Sequence, residues 1–237
     1  ILPCIFNSSD NTILNYLEDD GDTIEPEWYV PVIPMILVNG TDGIGTGFSS
    51  KIPCYNPLDI IENLKRKMRG DELIELIPWY RGFRGKIIKE NEKYISKGMY
   101  RLLNDSEIEI YELPVGRWTD DYKEFLDSLI IEKGERKKNK NHILLDYQSQ
   151  YTESSVRFIL QFDKSQLTKL FNSGNFEKFM KLTDSKRTCI TNMHLFNKDG
   201  QIRKYSSPNE ILEEFYDVRK EFYIKRKEYL INKTQRE

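Results

Sequence analysis

Alternation of apolar and polar positions divides much of this chain into short extended segments. Period-two alternation predicts a β-hairpin over 85–102, a strand over 107–111 and another strand over 151–162. The turn residues Lys198-Asp199-Gly200 predict a further hairpin. The apolar run from Met35 to Val38 has the length of a buried strand. Because these antiparallel strands are interspersed with helical segments, the pattern predicts an α+β fold in which helices pack on antiparallel sheet.

Apolar positions at three- and four-residue spacing predict the helices. Asn56 and Pro57 are typical of an N-cap and a first helical residue, and Gly70 is typical of a C-terminal cap. The predicted apolar face of this helix comprises Leu58, Ile61, Leu64 and Met68. Thr119 is the predicted N-cap of a second helix, and one or two short helices are predicted around Gly174. The predicted buried face of the second helix comprises Tyr122, Phe125, Leu126 and Leu129.

The longest helical pattern occupies the end of the sequence. Residues 207–210, Ser-Pro-Asn-Glu, form a capping box with proline at the first helical position. A helix from Pro208 to Glu237 would extend about 45 Å. Long charged helices that leave a globular domain typically pack on a partner helix. One hypothesis for function is therefore a non-enzymatic α+β interaction module that uses helix 208–237.

A glycine cluster around a single aliphatic residue is the most unusual local pattern. Gly40, Gly43, Gly45 and Gly47 surround Ile44, a β-branched residue that is a poor choice for a turn. One interpretation is a tight turn that returns Ile44 to the core, as most isolated apolar residues do. The other is a wedge, an aliphatic side chain able to enter between stacked base pairs and kink a duplex.

Nucleotide binding by the same glycines is excluded by their spacing. A dinucleotide fingerprint needs glycine or alanine three residues after its second glycine, and Phe48 stands there after Gly45. A Walker loop needs Gly-Lys-Ser/Thr, which is absent from the sequence.

Local basic segments must be weighed against an overall charge that does not indicate nucleic-acid binding. The chain has 36 Lys and Arg against 38 Asp and Glu, a net charge of −2. Its most basic window, 78–101, interleaves aromatic residues with cations, a pattern typical of phosphate-backbone contact but also of a solvated sheet face. The cations of this window are Arg81, Arg84, Lys86, Lys89, Lys93, Lys97 and Arg101. The candidate backbone contacts are Lys51, Arg81 and Arg84, and the basic segment 134–142 is expected to be an exposed loop.

Metal and membrane chemistry are not indicated. Cys4, Cys54 and Cys189 are far apart, which argues against a structural zinc site and fits a reducing compartment. The acidic residues 18–22 are expected to form a solvated loop, so no metal site is predicted. Without a run of about eighteen apolar residues, no membrane contact is expected. The sequence also begins without Met, and we expect it to be a fragment of a longer protein.

Four stretches in the same order resemble eukaryotic type IIA DNA topoisomerases. The longest is EPEWYVPVIPMILVNGTDGIGTGFS at 25–49. It is accompanied by PWYRGFRGKI at 78–87, EIYELPVGRWT at 109–119, and RKYSSPNEILEEFYDVRKEFYIKRKEYL at 203–230. The resemblance covers essentially the whole chain.

The resemblance implies a fold and a site. It implies the tail of a winged-helix region at 1–27, a tower (shoulder) domain at 28–206 that contains the glycine loop 39–48, and the start of a coiled-coil arm at 207–237. It also implies that Ile44 inserts into the gate DNA and bends it, supported by Gly43, Gly45 and Gly47.

The resemblance further implies an ATP-hydrolysing isomerase that passes one duplex through a transient double-strand break. Its partners would be double-stranded DNA and a second copy of itself, its cofactors Mg²⁺ and ATP, and its location the nucleus. The family's nucleophilic tyrosine follows an arginine, but none of the fourteen tyrosines here does. We therefore predict no catalytic residue and no cofactor in this fragment, and no activity from it alone.

Overall fold

The computed structural model describes residues 2–91, 93–130, 143–152 and 154–237. The α-helices are α1 Leu2–Ile5, α2 Met35–Asn39, α3 Pro57–Arg69, α4 Thr119–Asp127, α5 Lys164–Asn172, α6 Phe176–Phe179 and α7 Pro208–Arg236. The strands are β1 Tyr16–Asp19, β2 Asp22–Pro26, β3 Thr41–Ile44, β4 Ser49–Ile52, β5 Lys86–Glu90, β6 Lys93–Lys97, β7 Met99–Leu102, β8 Glu107–Glu112, β9 Leu144–Ser149, β10 Phe158–Phe162, β11 Thr183–Asp184, β12 Met193–Phe196 and β13 Ile202–Tyr205. A 3₁₀ helix at Ser8–Ile13 precedes β1.

The chain divides into two compact units. Unit 1 combines Ile1–Pro78 with Ile190–Glu237, and unit 2 is Trp79–Cys189. Both contain helices and antiparallel strands, so the predicted α+β class with a long C-terminal helix is confirmed. The domain boundaries expected from the sequence, with a tower domain at 28–206, stay a prediction.

Unit 2 contains two antiparallel sheets. The larger has the strand order β7-β8-β10-β9, and the smaller has the order β11-β6-β5. The predicted hairpin over 85–102 is confirmed by the pairing of β5 with β6, in which Ile88 lies opposite Ile95. The core of unit 2 is formed by β8 and β10 together with α4, α5 and α6.

Helix α4 has the predicted buried face but not the predicted cap. Tyr122 and Leu126 are fully buried, and the Tyr122 hydroxyl donates to the Met180 carbonyl oxygen at 2.8 Å. The N-cap position is Trp118, and its side chain makes no capping hydrogen bond. The prediction of Thr119 as N-cap was therefore wrong, because Thr119 is already the first helical residue.

A buried carboxylate lies in the middle of the larger sheet. Glu109 on β8 accepts hydrogen bonds from Arg157, at 2.6 Å, and from Arg101 on β7. These two guanidinium groups hold the pKa of Glu109 below its ordinary value, with Arg157 the larger cause. Because Arg101 is engaged in this way, one cation of the basic window is partly neutralised inside the fold.

Unit 1 is assembled from three hairpins and its helices. The hairpins are β1–β2, β3–β4 and β12–β13, and the predicted turn at 198–200 is confirmed by the last of these. The buried residues of its core are Leu37, Ile52, Tyr55, Ile60, Leu76, Met193, Tyr205, Ile211 and Leu212.

The caps of α3 are confirmed, whereas its predicted apolar face was wrong. Asn56 accepts a hydrogen bond from the Leu58 N–H, and Gly70 adopts a φ of 80°. Leu58 is 72% exposed, whereas Ile60 and Asn63 are buried. Asn63 can be buried because its amide pairs with a main chain: it donates to the Ile74 oxygen at 2.7 Å and accepts from the Ile74 N–H at 2.9 Å.

The run Met35–Val38 is helical, so its prediction as a strand was wrong. Pro34 occupies the N-cap position of α2, and Gly40 follows its last residue. A short apolar run between such residues fits a single helical turn as well as a strand, because periodicity cannot separate the two at this length.

Helix α7 begins at the predicted capping residues. The Ser207 hydroxyl oxygen accepts from the Glu210 N–H at 3.2 Å, and the Glu210 carboxylate accepts from the Ser206 N–H at 2.7 Å. Further along the helix, Arg219 is buried and donates to the Asp10 carboxylate at 2.8 Å. This ion pair fixes the 3₁₀ helix of unit 1 to α7.

Two predicted segments differ from the observed elements or lie outside them. The strand predicted over 151–162 is shorter, since β10 comprises only Phe158–Phe162. The loop predicted at 134–142 lies outside the described residues.

Candidate nucleic-acid interface

The glycine cluster forms a β-hairpin of unit 1, which we call the Ile44 hairpin (residues 41–52). In β3 and β4, Ile44 lies opposite Ser49 and Asp42 opposite Lys51. The Gly45 N–H donates to the Phe48 carbonyl oxygen at 2.7 Å, which closes the turn. Gly47 has a φ of 82°, a conformation that glycine adopts without steric cost.

Ile44 itself lies almost entirely in solvent. Its side chain is 93% exposed at the end of β3. The interpretation that Ile44 returns to the core was therefore wrong, because the register of the hairpin directs this position away from it. An exposed aliphatic side chain on a hairpin tip has the shape that entry between base pairs requires.

The base of the Ile44 hairpin depends on a close backbone approach at Gly40. Gly40 has a φ of 64° and a ψ of −179°, a region essentially restricted to glycine. A Cβ atom there would lie 2.6 Å from the Ile52 carbonyl oxygen. By contrast, a Cβ atom at Gly43 would meet nothing within 4 Å. Gly40 therefore joins α2 to the hairpin at a distance that no larger residue permits.

The outer edge of β4 is held by the segment that leads into β12. The Lys51 N–H donates to the Asn192 carbonyl oxygen at 2.8 Å. The Asn192 side-chain amide donates to the Ser49 hydroxyl oxygen, also at 2.8 Å. Nearer the tip, the ring of Phe48 lies 6.0 Å from the ring of His194. No signal in the sequence indicated these contacts, since the two segments are about 140 residues apart and meet only in the folded chain.

Lys51 is a weaker phosphate candidate than its position suggests. Its ammonium group lies 3.0 Å from the Asp42 carboxylate, and its side chain is 26% exposed. Because residues directly opposite each other share one face, this ion pair lies on the same face of the hairpin as Ile44. A phosphate would have to compete with Asp42 for Lys51.

Arg81 and Arg84 lie in unit 2, and both side chains are exposed. The Arg84 N–H donates to a Glu112 carboxylate oxygen at 3.1 Å, and its guanidinium Nε lies 3.6 Å from the same oxygen. Within the described part of the chain, Arg81 has no ion-pair partner. Arg81 therefore carries the least compensated charge of the three predicted contacts.

The remaining cations of the basic window are partly compensated. Lys97 lies opposite Lys86 in the β5–β6 hairpin, and it donates to the Glu177 carboxylate at 2.9 Å. Glu177 raises the pKa of Lys97 above its ordinary value through this hydrogen bond. The charge that the window offers to a phosphate backbone is thus smaller than its composition indicates.

Metal-binding and membrane-spanning features are not found in the ranges 2–91, 93–130, 143–152 and 154–237. In these ranges, three or more His, Cys, Asp or Glu side chains do not converge into a group that could hold a metal ion. The described helices also include none with the length and apolar character needed to cross a bilayer.

Comparison with known proteins confirms the family expected from the motif at 25–49. Residues 1–237 match the family model for DNA gyrase/topoisomerase IV. The chain is 43% identical over 220 residues to DNA topoisomerase 2 of Arabidopsis thaliana, covering 91% of this chain and 14% of that protein. It is 42% identical over 234 residues to DNA topoisomerase 2 of Plasmodium falciparum, covering 98% of this chain and 16% of that protein.

A solved structure agrees with these relatives. The crystal structure of the Plasmodium falciparum topoisomerase II DNA-binding, cleavage and re-ligation domain matches with a TM-score of 0.89 and 40% identity. The match covers 98% of this chain and 31% of that one. The chain thus spans only a small part of its relatives, but it does so over nearly its whole length, and it belongs to the DNA gyrase/topoisomerase IV family, together with the eukaryotic type II DNA topoisomerases.

Proposed function

We propose that this chain is the part of an ATP-dependent type IIA DNA topoisomerase that binds and bends the gate duplex. The parent enzyme would pass a second duplex through a transient double-strand break in the bent one. The observation that carries the proposal is the 93% exposed side chain of Ile44 at the tip of a hairpin whose base and outer edge are both held. The family membership supports the same function.

The energetics of insertion require more than Ile44 alone. Unstacking one base step costs a few kcal/mol, and bending a short duplex costs on the order of 1–6 kcal/mol. Removing an exposed aliphatic side chain from water contributes about 1.5–3 kcal/mol. Ile44 therefore offsets part of the deformation, and contacts to phosphates must stabilise the bent duplex further.

The proposed phosphate contacts are Arg81, Arg84 and Lys51, and their surroundings rank them. Arg81 is free of ion pairs among the described residues, Arg84 shares a carboxylate with its own main chain, and Lys51 is paired with Asp42. We expect their contributions to binding to fall in that order.

The chemistry of strand cleavage is assigned to other parts of the parent protein. The described residues do not fit a Mg²⁺ site, and no tyrosine follows an arginine in the sequence, so cleavage, Mg²⁺ and ATP would be supplied elsewhere. We propose that the chain alone is inactive, that the parent is a homodimer, and that it acts in the nucleus. One relative, from Dictyostelium discoideum, is named as mitochondrial, which is the competing location.

The competing function is a non-enzymatic interaction module in which the glycine loop is merely structural. That function gives no reason for an aliphatic side chain to be held in solvent at the tip of the Ile44 hairpin. We therefore favour the DNA function.

The test is the salt dependence of duplex binding by the full chain. A duplex of about 30 base pairs would be titrated at about 50 and 200 mM salt. Each true phosphate contact that is neutralised, in Arg81→Gln, Arg84→Gln or Lys51→Gln, should reduce the salt slope by about 0.9. Lys164→Gln is the matched control, since Lys164 is also an exposed cation but lies 2.5 Å from Asp105. Absence of binding, or binding without salt dependence, would contradict the proposal.

A further inference from the structure

The support of the Ile44 hairpin is concentrated at one residue of a distant segment. Asn192 accepts from the Lys51 N–H with its carbonyl oxygen and donates to the Ser49 hydroxyl with its side chain, each at 2.8 Å. It thereby occupies the edge of β4 that β3 leaves unpaired. An isolated two-stranded hairpin is only marginally stable in water, so a third partner decides whether its tip keeps one orientation.

The contact made by Asn192 reaches the residue directly opposite Ile44. Ser49 is the cross-strand partner of Ile44. Opposite residues in an antiparallel pair lie close together on one face, so the Asn192 amide constrains the end of the hairpin that carries the wedge. Lys51, two residues further from the tip, is fixed to Asn192 by its main chain and to Asp42 by its side chain.

A second contact supports the opposite face of the tip. Phe48 lies opposite Gly45, one position beyond the Ile44–Ser49 pair, so its side chain lies on the other face. Its ring packs against His194 on β12, two residues after Asn192. The hairpin is thus held on one side by the 192–194 segment and is open on the side of Ile44.

We propose that Asn192 is a positioning residue for DNA bending. Its side-chain amide keeps Ser49 in place and thereby holds Ile44 in the orientation that enters the duplex. This inference rests on the proposed function. It assigns no contact between Asn192 and DNA, because Asn192 acts through the hairpin.

The test separates the wedge's orientation from folding and from affinity. Asn192→Ala removes the amide but keeps the main-chain carbonyl that holds Lys51. Bending of an intact duplex, followed by fluorescence transfer between its ends, is expected to fall about two- to ten-fold, the factor associated with one lost hydrogen bond. Ser49→Ala should have the same effect, and the double variant should be no worse than either single one, since both remove the same contact.

Two controls make the outcome decisive. A duplex already kinked by an unpaired bulge needs no wedge, so Asn192→Ala should bind it as tightly as the wild-type chain does. Gln201→Ala, an exposed residue before β13 on the neighbouring hairpin, should change neither bending nor binding.

Each contrary result has a distinct meaning. If Asn192→Ala bends the intact duplex like the wild type while Ile44→Ala does not, the inference fails and the proposed function stands. If Asn192→Ala loses affinity for the kinked duplex as well, its role is merely structural and the inference is overturned. If Ile44→Ala still bends DNA, the proposed function fails and the inference fails with it.

Discussion

Gly40 provides a quantitative test of how the Ile44 hairpin is attached to its unit. Gly40→Ala would place a side chain at a φ of 64° and a ψ of −179°, with its Cβ 2.6 Å from the Ile52 carbonyl oxygen. The backbone strain costs about 1–3 kcal/mol, and overpacking costs about 1–3 kcal/mol. Partial relaxation brings the expected loss in the free energy of unfolding to about 2–4 kcal/mol.

The matched control is Gly43→Ala in β3 of the same hairpin. A Cβ atom at Gly43 would meet nothing within 4 Å, and its φ is not positive. Alanine there should change stability by about 0.5–1 kcal/mol at most, in the stabilising direction.

The assay is urea denaturation of the full chain, with both variants and the wild type followed by the same spectroscopic signal. With a slope of about 1–3 kcal/mol per molar urea, Gly40→Ala should lower the transition midpoint of unit 1 by about 1–2 M. Equal midpoints for the Gly40 and Gly43 variants would refute the proposed close approach at the base of the hairpin.

Three further predictions concern the framework around the hairpin. The two arginines that lower the pKa of Glu109 stabilise its ionised form in the fold, so this stability is present above the ordinary pKa of about 4.3 and is lost as pH falls through the folded-state pKa; melting curves from about pH 6 to about pH 3 should show a steeper loss for wild type than for Glu109→Gln. Ser207→Ala should destabilise the chain by about 1 kcal/mol in chemical denaturation, because the cap of α7 loses its acceptor. Ile60→Ala should cost about 2–5 kcal/mol and Leu58→Ala less than about 0.5 kcal/mol in the same assay; the reverse order would mean that the face of α3 has been misassigned.

Local signals in the sequence predicted the ends of helices well. Asn56 and Gly70 bound α3, and Ser207 begins α7, as expected. Such caps depend on residues within a few positions of each other, so the sequence contains all the information that they need.

Faces and orientations were harder to predict because they depend on distant residues. Asn63 is buried by hydrogen bonds to the Ile74 main chain, which hydrophobic patterning cannot detect, and so the face of α3 was assigned wrongly. The exposure of Ile44 depends on the register of its hairpin and on the distant Asn192, so its residue type alone pointed to the core.

The resemblance at 25–49 identified the family where periodicity could not. The same stretch contains a segment whose secondary structure was predicted wrongly, since Met35–Asn39 is helical. A long irregular motif specifies a fold through the relatives that share it, whereas a short apolar run leaves helix and strand equally open.

The most direct test of Ile44 as the wedge is DNA bending by the full chain with and without its side chain. Fluorescence transfer between the ends of a duplex of about 30 base pairs would be compared for wild type and Ile44→Ala at about 50 and 200 mM salt. Leu58→Ala is the control, since Leu58 is also an exposed aliphatic residue of unit 1. We predict salt-sensitive bending that Ile44→Ala abolishes and Leu58→Ala retains, with all three proteins equally stable within about 0.5 kcal/mol. Bending that persists in Ile44→Ala would contradict the assignment of Ile44 as the residue that deforms the duplex.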